Sequence, residues 1–166
     1  MAAGDPQEPI CEPVSGQAEF LQRAAEMARA TRLTLNLFSQ NLDRRTYGSD
    51  DFIAPLTRFL LSHQRARLRV IVRSPAQAML KGHRLVELGR QLSSRIEFRE
   101  LTPERQLIER EYLVADESAL LIRESPQELL ARYYPHAPLQ AREQLREFEM
   151  LWQESPPAAE FRDLKL

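Results

Sequence analysis

The stretch "LIEREYLVADESALLIRE", residues 107–124, decides how the chain folds. Apolar residues run through Tyr112–Ala115, polar Asp116-Glu117-Ser118 interrupt them, and a second apolar run follows at Ala119–Ile122. Two short runs rich in Leu, Ile, Val and Tyr around a tight polar turn predict a β-hairpin. Glu109 and Glu111 lead into the first strand, and Asp116 opens the turn.

Working outward, the spacing predicts alternating helices and strands. "GQAEFLQRAAEMARA" places Phe20, Ala24, Met27 and Ala28 on one helical face, with Ser15 as a capping residue. "RLTLNLFS" alternates Leu33, Leu35 and Leu37 with Thr34 and Asn36, as a strand does. "GSDDFIAPLTRFLLSHQ" has Phe52, Leu56, Phe59 and Leu60 at helical spacing. Ser49, Asp50 and Asp51 stand at its positive end, and Pro55 predicts a late start or a bend. "RLRVIVRS" reads as a buried parallel strand. "SPAQAMLKGHRLVELGRQLSS" predicts a helix capped by Ser74, with Pro75 in its first turn and Gly82 and Gly89 weakening its middle. "SRIEFREL" turns Ile96 and Phe98 inward as a third strand, the hairpin adds two more, and residues 123–138 read as a loop or short helical turn. "PLQAREQLREFEMLWQES" closes the chain as a helix with Leu145, Phe148 and Trp152 on one side. The expected fold is therefore α/β: a mixed, mostly parallel sheet with helices on both faces. Residues 15–166 form one domain behind a disordered, proline-rich arm at 1–14.

Composition bounds the function. At 166 residues, 43% hydrophobic and 28% charged, the chain can bury a core. No apolar run suits a membrane span and the N-terminus has no signal-peptide pattern, so a cytoplasmic protein with no membrane partner is expected. Cys11 is the one cysteine and cannot form an internal disulfide or a zinc site. The net charge of −1 hides an asymmetry: residues 27–100 carry fourteen bases and six acids, a net of +8, while both flanks are acidic. Nearly all the bases are arginine, which pairs bidentately with phosphate; a GC-rich genome gives the same bias without any function. The acidic flanks limit nucleic-acid binding to weak or none at physiological salt.

"YLVADESALLI" and "FEMLWQES" resemble a half-domain of the phospholipase D family, over roughly residues 16–155. Members carry His-x-Lys-x-x-x-x-Asp on a strand running into a turn, and their closing helix ends in a Phe-x-x-Leu-Trp pattern. Asp116 fits the aspartate of that motif, and Phe148, Leu151 and Trp152 fit the closing pattern. Counting back from Asp116 puts Glu109 at the histidine position and Glu111 at the lysine position. The resemblance implies a histidine that attacks phosphorus and a lysine that neutralises phosphate oxygens. Glutamate is a poor nucleophile towards an anionic phosphodiester and would repel it, so a degenerate, non-catalytic module is expected. "GHRLVELGRQLSSRIEFRE" and "VADESALLIRE" resemble more closely a bacterial group of this fold, some of it fused to an acetyltransferase-like domain.

Candidate ligand residues follow. "SQNLDRR" places Ser39, Gln40, Asn41 and Asp43 at the carboxyl end of the first long strand, and Arg73 and Ser74 end the next; ligands bind at that edge of open α/β sheets. The same residues suit an ordinary turn. "KGHR" sets His83 and Arg84 beside Lys81, an anion site or simply a packed helical histidine. Any retained site of the resembling group implies His83, Arg84, Arg95 and Asp116. Glu109, Glu111 and Asp116 could share a divalent cation, although charged strand ends more often face solvent. No Gly-rich phosphate loop, zinc spacing or Ser-His-Asp order appears, so no cofactor and no metal are expected.

The expected function is a non-catalytic module binding a phosphate-bearing ligand, nucleic acid or a protein partner. The alternative is a hydrolase or phosphodiesterase with its site relocated around His83 and Asp116. As a single half-domain it is expected as a monomer or a homodimer, and not one that gathers Glu109 and Glu111 of two subunits.

Overall fold

The computed structural model describes residues 8–75 and 80–157. Along these, β1 (Glu12–Ser15) precedes α1 (Gly16–Ala30), β2 (Thr34–Ser39), α2 (Arg44–Tyr47), α3 (Asp50–Ser62) and β3 (Arg67–Val72). Then come α4 (Arg84–Gln91), β4 (Ile96–Glu100), a 3₁₀ turn at Pro103–Arg105, β5 (Glu111–Ala115), β6 (Ala119–Arg123), β7 (Leu130–Tyr134) and α5 (Pro138–Glu154).

The described strands form one mixed seven-stranded sheet in the order β1-β7-β6-β5-β2-β3-β4. β2–β3 and β3–β4 are parallel, whereas β2–β5, β5–β6, β6–β7 and β7–β1 are antiparallel. The sheet is thus less parallel than expected. Beyond the crossovers the chain returns by hairpins, which need no helix between strands.

Both faces are covered. Leu35, Leu37, Leu68, Val70 and Leu113 pack against Phe20 and Met27 of α1 and Leu56 and Leu60 of α3. On the other face Phe38, Ile71, Tyr112 and Ile122 meet Phe148, Leu151 and Trp152 of α5. Leu145 packs partly against the same cluster, as the helical spacing implied. Arg69 spans that second face, donating to Asn36 at 2.8 Å while its guanidinium lies 5.1 Å from the Phe148 ring.

Four expectations change. The arm drawn over residues 1–14 ends sooner: residues 1–7 lie outside the described residues, and Glu12–Ser15 pair with β7. The loop read at 123–138 contains β7, whose inward residues are Ala131 and Tyr133. The helix read from Ser74 is interrupted; residues 76–79 lie outside the described residues, and Gly82 takes a φ of +73° before α4 begins at Arg84. Pro55 does not delay α3, which starts at Asp50 and runs through it. Gly89 lets α4 close onto the sheet: a Cβ there would meet the Phe98 ring at 2.5 Å. No helix among the described residues is long and apolar enough to cross a membrane.

Candidate functional site

A cleft of about 690 Å³ opens where β2 and β3 end. That volume falls in the range of small-molecule sites. Gln40, Asn41, Arg73 and Ser74 come from the strand ends, and Asp43, Arg45 and Thr46 from α2 and its approach. Gln17 and Phe20 come from α1, Glu109 and Glu111 from the entry to β5, and Arg123 from the end of β6.

Hairpin pairing explains Arg123. In the β5–β6 register Ala115 faces Ala119, and Glu111 faces Arg123. The guanidinium also lies 5.1 Å from the Phe20 ring, within reach of a cation–π contact. Its Nε is buried and has no hydrogen-bond partner among the described residues. Arg123 therefore enters the cleft as a cation held by packing.

Glu111 is spent differently. It is 5% exposed and accepts from the Tyr47 hydroxyl, from the Gln40 backbone N–H at 2.9 Å and from the Ser39 hydroxyl at 3.2 Å. Burial pushes its carboxyl above the usual range, against the pull of those donors and of Arg123. Burial and the Glu111 charge likewise raise the Tyr47 phenol well above its usual range. This carboxylate ties α2 and the end of β2 to β5.

The network continues to α4. Ser39 Oγ also accepts from Leu42 N–H at 2.9 Å, holding Leu42 at a φ of +55°, unusual for a branched side chain. The Leu42 carbonyl in turn takes His83 Nε2 at 2.9 Å, while His83 Nδ1 accepts from Leu85 N–H at 3.1 Å. A carbonyl only accepts and an amide N–H only donates, so the imidazole is neutral and protonated at Nε2. Burial lowers its pKa in agreement.

The candidate residues therefore divide. Asn41, Asp43, Arg73 and Ser74 converge on the cleft. Asp43 also caps α2, accepting from Arg45 N–H at 3.1 Å, and Arg73 donates to the Gln106 carbonyl at 2.7 Å and to Gln40 at 2.9 Å. His83 is a buried helix cap, not a ligand facing the cleft. Arg84 pairs with Asp50. Arg95 donates to the carbonyls of Leu60 and His63 at 2.6 Å, satisfying the end of α3 at the opposite edge.

Asp116 is at that opposite edge too. Its carboxylate accepts the backbone N–H groups of Arg32, Leu33 and Thr34 at 2.7, 2.8 and 3.0 Å. Because β5 runs antiparallel to β2, Ala115 pairs with Leu35 and Asp116 ends at the start of β2. The length of β2, roughly 17 Å, separates Asp116 from the end where Glu111 sits. A shared cation on Glu109, Glu111 and Asp116 is excluded by that distance, as is a relocated site joining His83 to Asp116. Among the described residues no cluster of three or more His, Cys, Asp or Glu could hold a metal.

Gln40, at the same strand end as Asn41 and Asp43, also lines the cleft, as do Gln17 and Arg45, which no sequence pattern marks. Pairing the hairpin about Asp116–Ser118 sets Arg123 across from Glu111.

Comparison with known proteins places this geometry. The profile of a family described as "Domain of unknown function (DUF7931)" matches residues 16–164. No curated protein matches the chain by sequence. Among solved structures, the phospholipase D family member Nuc from Salmonella typhimurium superposes with a TM-score of 0.60 at 10% identity, covering 91% of this chain and 99% of that one. NucT from Helicobacter pylori gives 0.61 at 6% identity, covering 91% and 100%. The archaeal chromatin protein TrmBL2, whose structure shows a novel mode of DNA binding, gives 0.67 at 13% identity and covers 95% of this chain. The chain spans 57% of the length of TrmBL2. The fold is therefore that of phospholipase D family structures.

Proposed function

The chain belongs to the DUF7931 family, and on that footing we propose that it is a non-catalytic phospholipase D-like module whose cleft binds a phosphate-bearing ligand. One observation carries this reading: the lysine position of the resembling motif holds Glu111, whose carboxylate is buried and occupied by Tyr47, Ser39 and Gln40. A group so engaged neither attacks phosphorus nor neutralises a phosphate. Glu109, at the histidine position, is exposed and anionic, and offers no imidazole for a covalent intermediate.

The arginines supply the binding. Arg45, Arg73 and Arg123 line the cleft, with the amides of Gln17, Gln40 and Asn41 around them. Guanidinium groups suit phosphate oxygens in geometry as well as charge. Glu109 and Asp43 stand in the same cleft, which favours a compact ligand over a continuous polyanion. The DNA binding of TrmBL2 and the phospholipase D membership of Nuc concern phosphate-bearing molecules, in keeping with this reading.

Calorimetric titration with inorganic pyrophosphate tests it. The wild-type chain is expected to bind, and Arg123→Gln to weaken binding by about 10-fold or more, the worth of a charge-assisted hydrogen bond. Equal affinity of the two proteins would remove the cleft from the proposal.

A further inference from the structure

We propose that the sheet edge opposite the cleft docks the phosphate backbone of a nucleic-acid duplex. The topology builds this edge. β2 and β3 are parallel and each follows a helix, so the ends of α1 and α3 lie beside the starts of both strands. Arg29 in the last turn of α1, Arg32 before β2, Arg58 on α3, and Arg65 and Arg67 before and within β3 are all exposed there.

Pairing separates these arginines from most others. Arg23, Arg69, Arg84, Arg90, Arg99, Arg105, Arg110 and Arg132 each pair with a carboxylate. Among the described residues none of the five at this edge forms an ion pair. The adjoining β5–β6 turn brings two carboxylates, Asp116, whose oxygens are held by backbone N–H groups, and Glu117, against the five arginines. A chain with a net charge of −1 thus concentrates uncompensated guanidinium groups on one edge, and an external polyanion is what neutralises them.

The surroundings favour a duplex over other polyanions. Single strands are held by aromatic stacking, and among the described residues none of the exposed large apolar side chains is aromatic. An anionic bilayer would use Leu33 and Leu61, 47% and 60% exposed at this edge. Even one whole myristoyl chain anchors a protein only marginally, and two half-exposed leucines offer less. A duplex backbone needs the arginines alone, and contacts of that kind carry no sequence preference.

Five phosphate contacts give a slope of log affinity on log salt near −4.5, so affinity should fall about 100-fold from roughly 50 to 150 mM salt. Binding is therefore measurable at low salt and weak at physiological salt.

Fluorescence anisotropy of a labelled duplex of arbitrary sequence with the full chain tests this. The triple substitution R29Q/R32Q/R65Q uses side chains that make no hydrogen bond among the described residues; Arg32 and Arg65 donate only through their backbone N–H groups. It is expected to cut affinity at least about 10-fold at low salt and to shrink the slope by about 2 to 3. R142Q/R146Q, on the exposed side of α5, is expected to change neither. Absence of wild-type binding at low salt, or an unchanged slope in the triple variant, would overturn the proposal. So would sedimentation with phosphatidylglycerol-containing vesicles by a protein that ignores the duplex.

Discussion

Glu111→Ala is expected to lower the unfolding free energy by about 3 kcal/mol, because three donors lose their acceptor in a buried place. The Tyr47 hydroxyl, the Ser39 hydroxyl and the Gln40 N–H converge on this carboxylate, which is 5% exposed. For a chain of this size the melting temperature should fall by roughly 6–12 °C. Glu111→Lys, which restores the residue type of the phospholipase D motif, should be worse. It places an ammonium among three donors and across from Arg123. Glu111→Gln keeps one acceptor oxygen and should be the mildest of the three.

The pH dependence has a definite sign. Burial raises the Glu111 pKa above its ordinary value of 4.5, so the folded chain holds this proton more tightly than the unfolded chain. The stability from that difference is full below the ordinary value and is lost as pH rises through the raised value in the fold. The gap between wild type and Glu111→Gln should therefore shift with pH across that window. A gap independent of pH, read from urea midpoints, would mean that the carboxyl titrates normally.

Asp116→Ala is expected to cost about 3 kcal/mol, from the lost charge-assisted hydrogen bonds and from a left-handed backbone that alanine tolerates poorly. The carboxylate holds the N–H groups of Arg32, Leu33 and Thr34, and Asp116 itself has a φ of +50°. Asparagine accepts that conformation and keeps one acceptor, so Asp116→Asn should lose only about 1 kcal/mol. Neither substitution should alter pyrophosphate affinity, since Asp116 is at the edge away from the cleft. A drop in affinity with unchanged stability would give Asp116 a ligand role instead.

What the sequence reveals follows from the range of each interaction. β2 and β3 are legible because Leu35, Leu37, Val70 and Ile71 sit in short apolar runs whose pattern is local. α1 and α5 are legible from apolar spacing in the same way. β7 is not, because only Ala131 and Tyr133 of its five residues are buried and prolines flank the segment. α2 is a single turn, too short for periodicity to mark. His83 looks polar and available in "KGHR", yet its burial depends on a carbonyl 41 residues away.

The site divides along the same line. Asn41, Asp43, Arg73 and Ser74 follow from strand ends, a rule that needs only the direction of β2 and β3. Glu111 appears in the sequence as a misplaced charge, because its partners Tyr47 and Ser39 are 64 and 72 residues distant. Motif spacing gives the interval between Glu111 and Asp116 but not the direction of the strand joining them. The antiparallel run of β5 beside β2 sends the two carboxylates to opposite edges.

The cleft is proposed to hold a phosphate-bearing ligand without cleaving it. ³¹P NMR of bis(p-nitrophenyl) phosphate with the purified chain reads both parts at once. The expected spectrum shows a diester resonance that broadens or shifts as protein is added and keeps its full intensity over hours. A growing monoester resonance would show catalysis, and a diester signal indifferent to millimolar protein would show no binding; either result contradicts the claim.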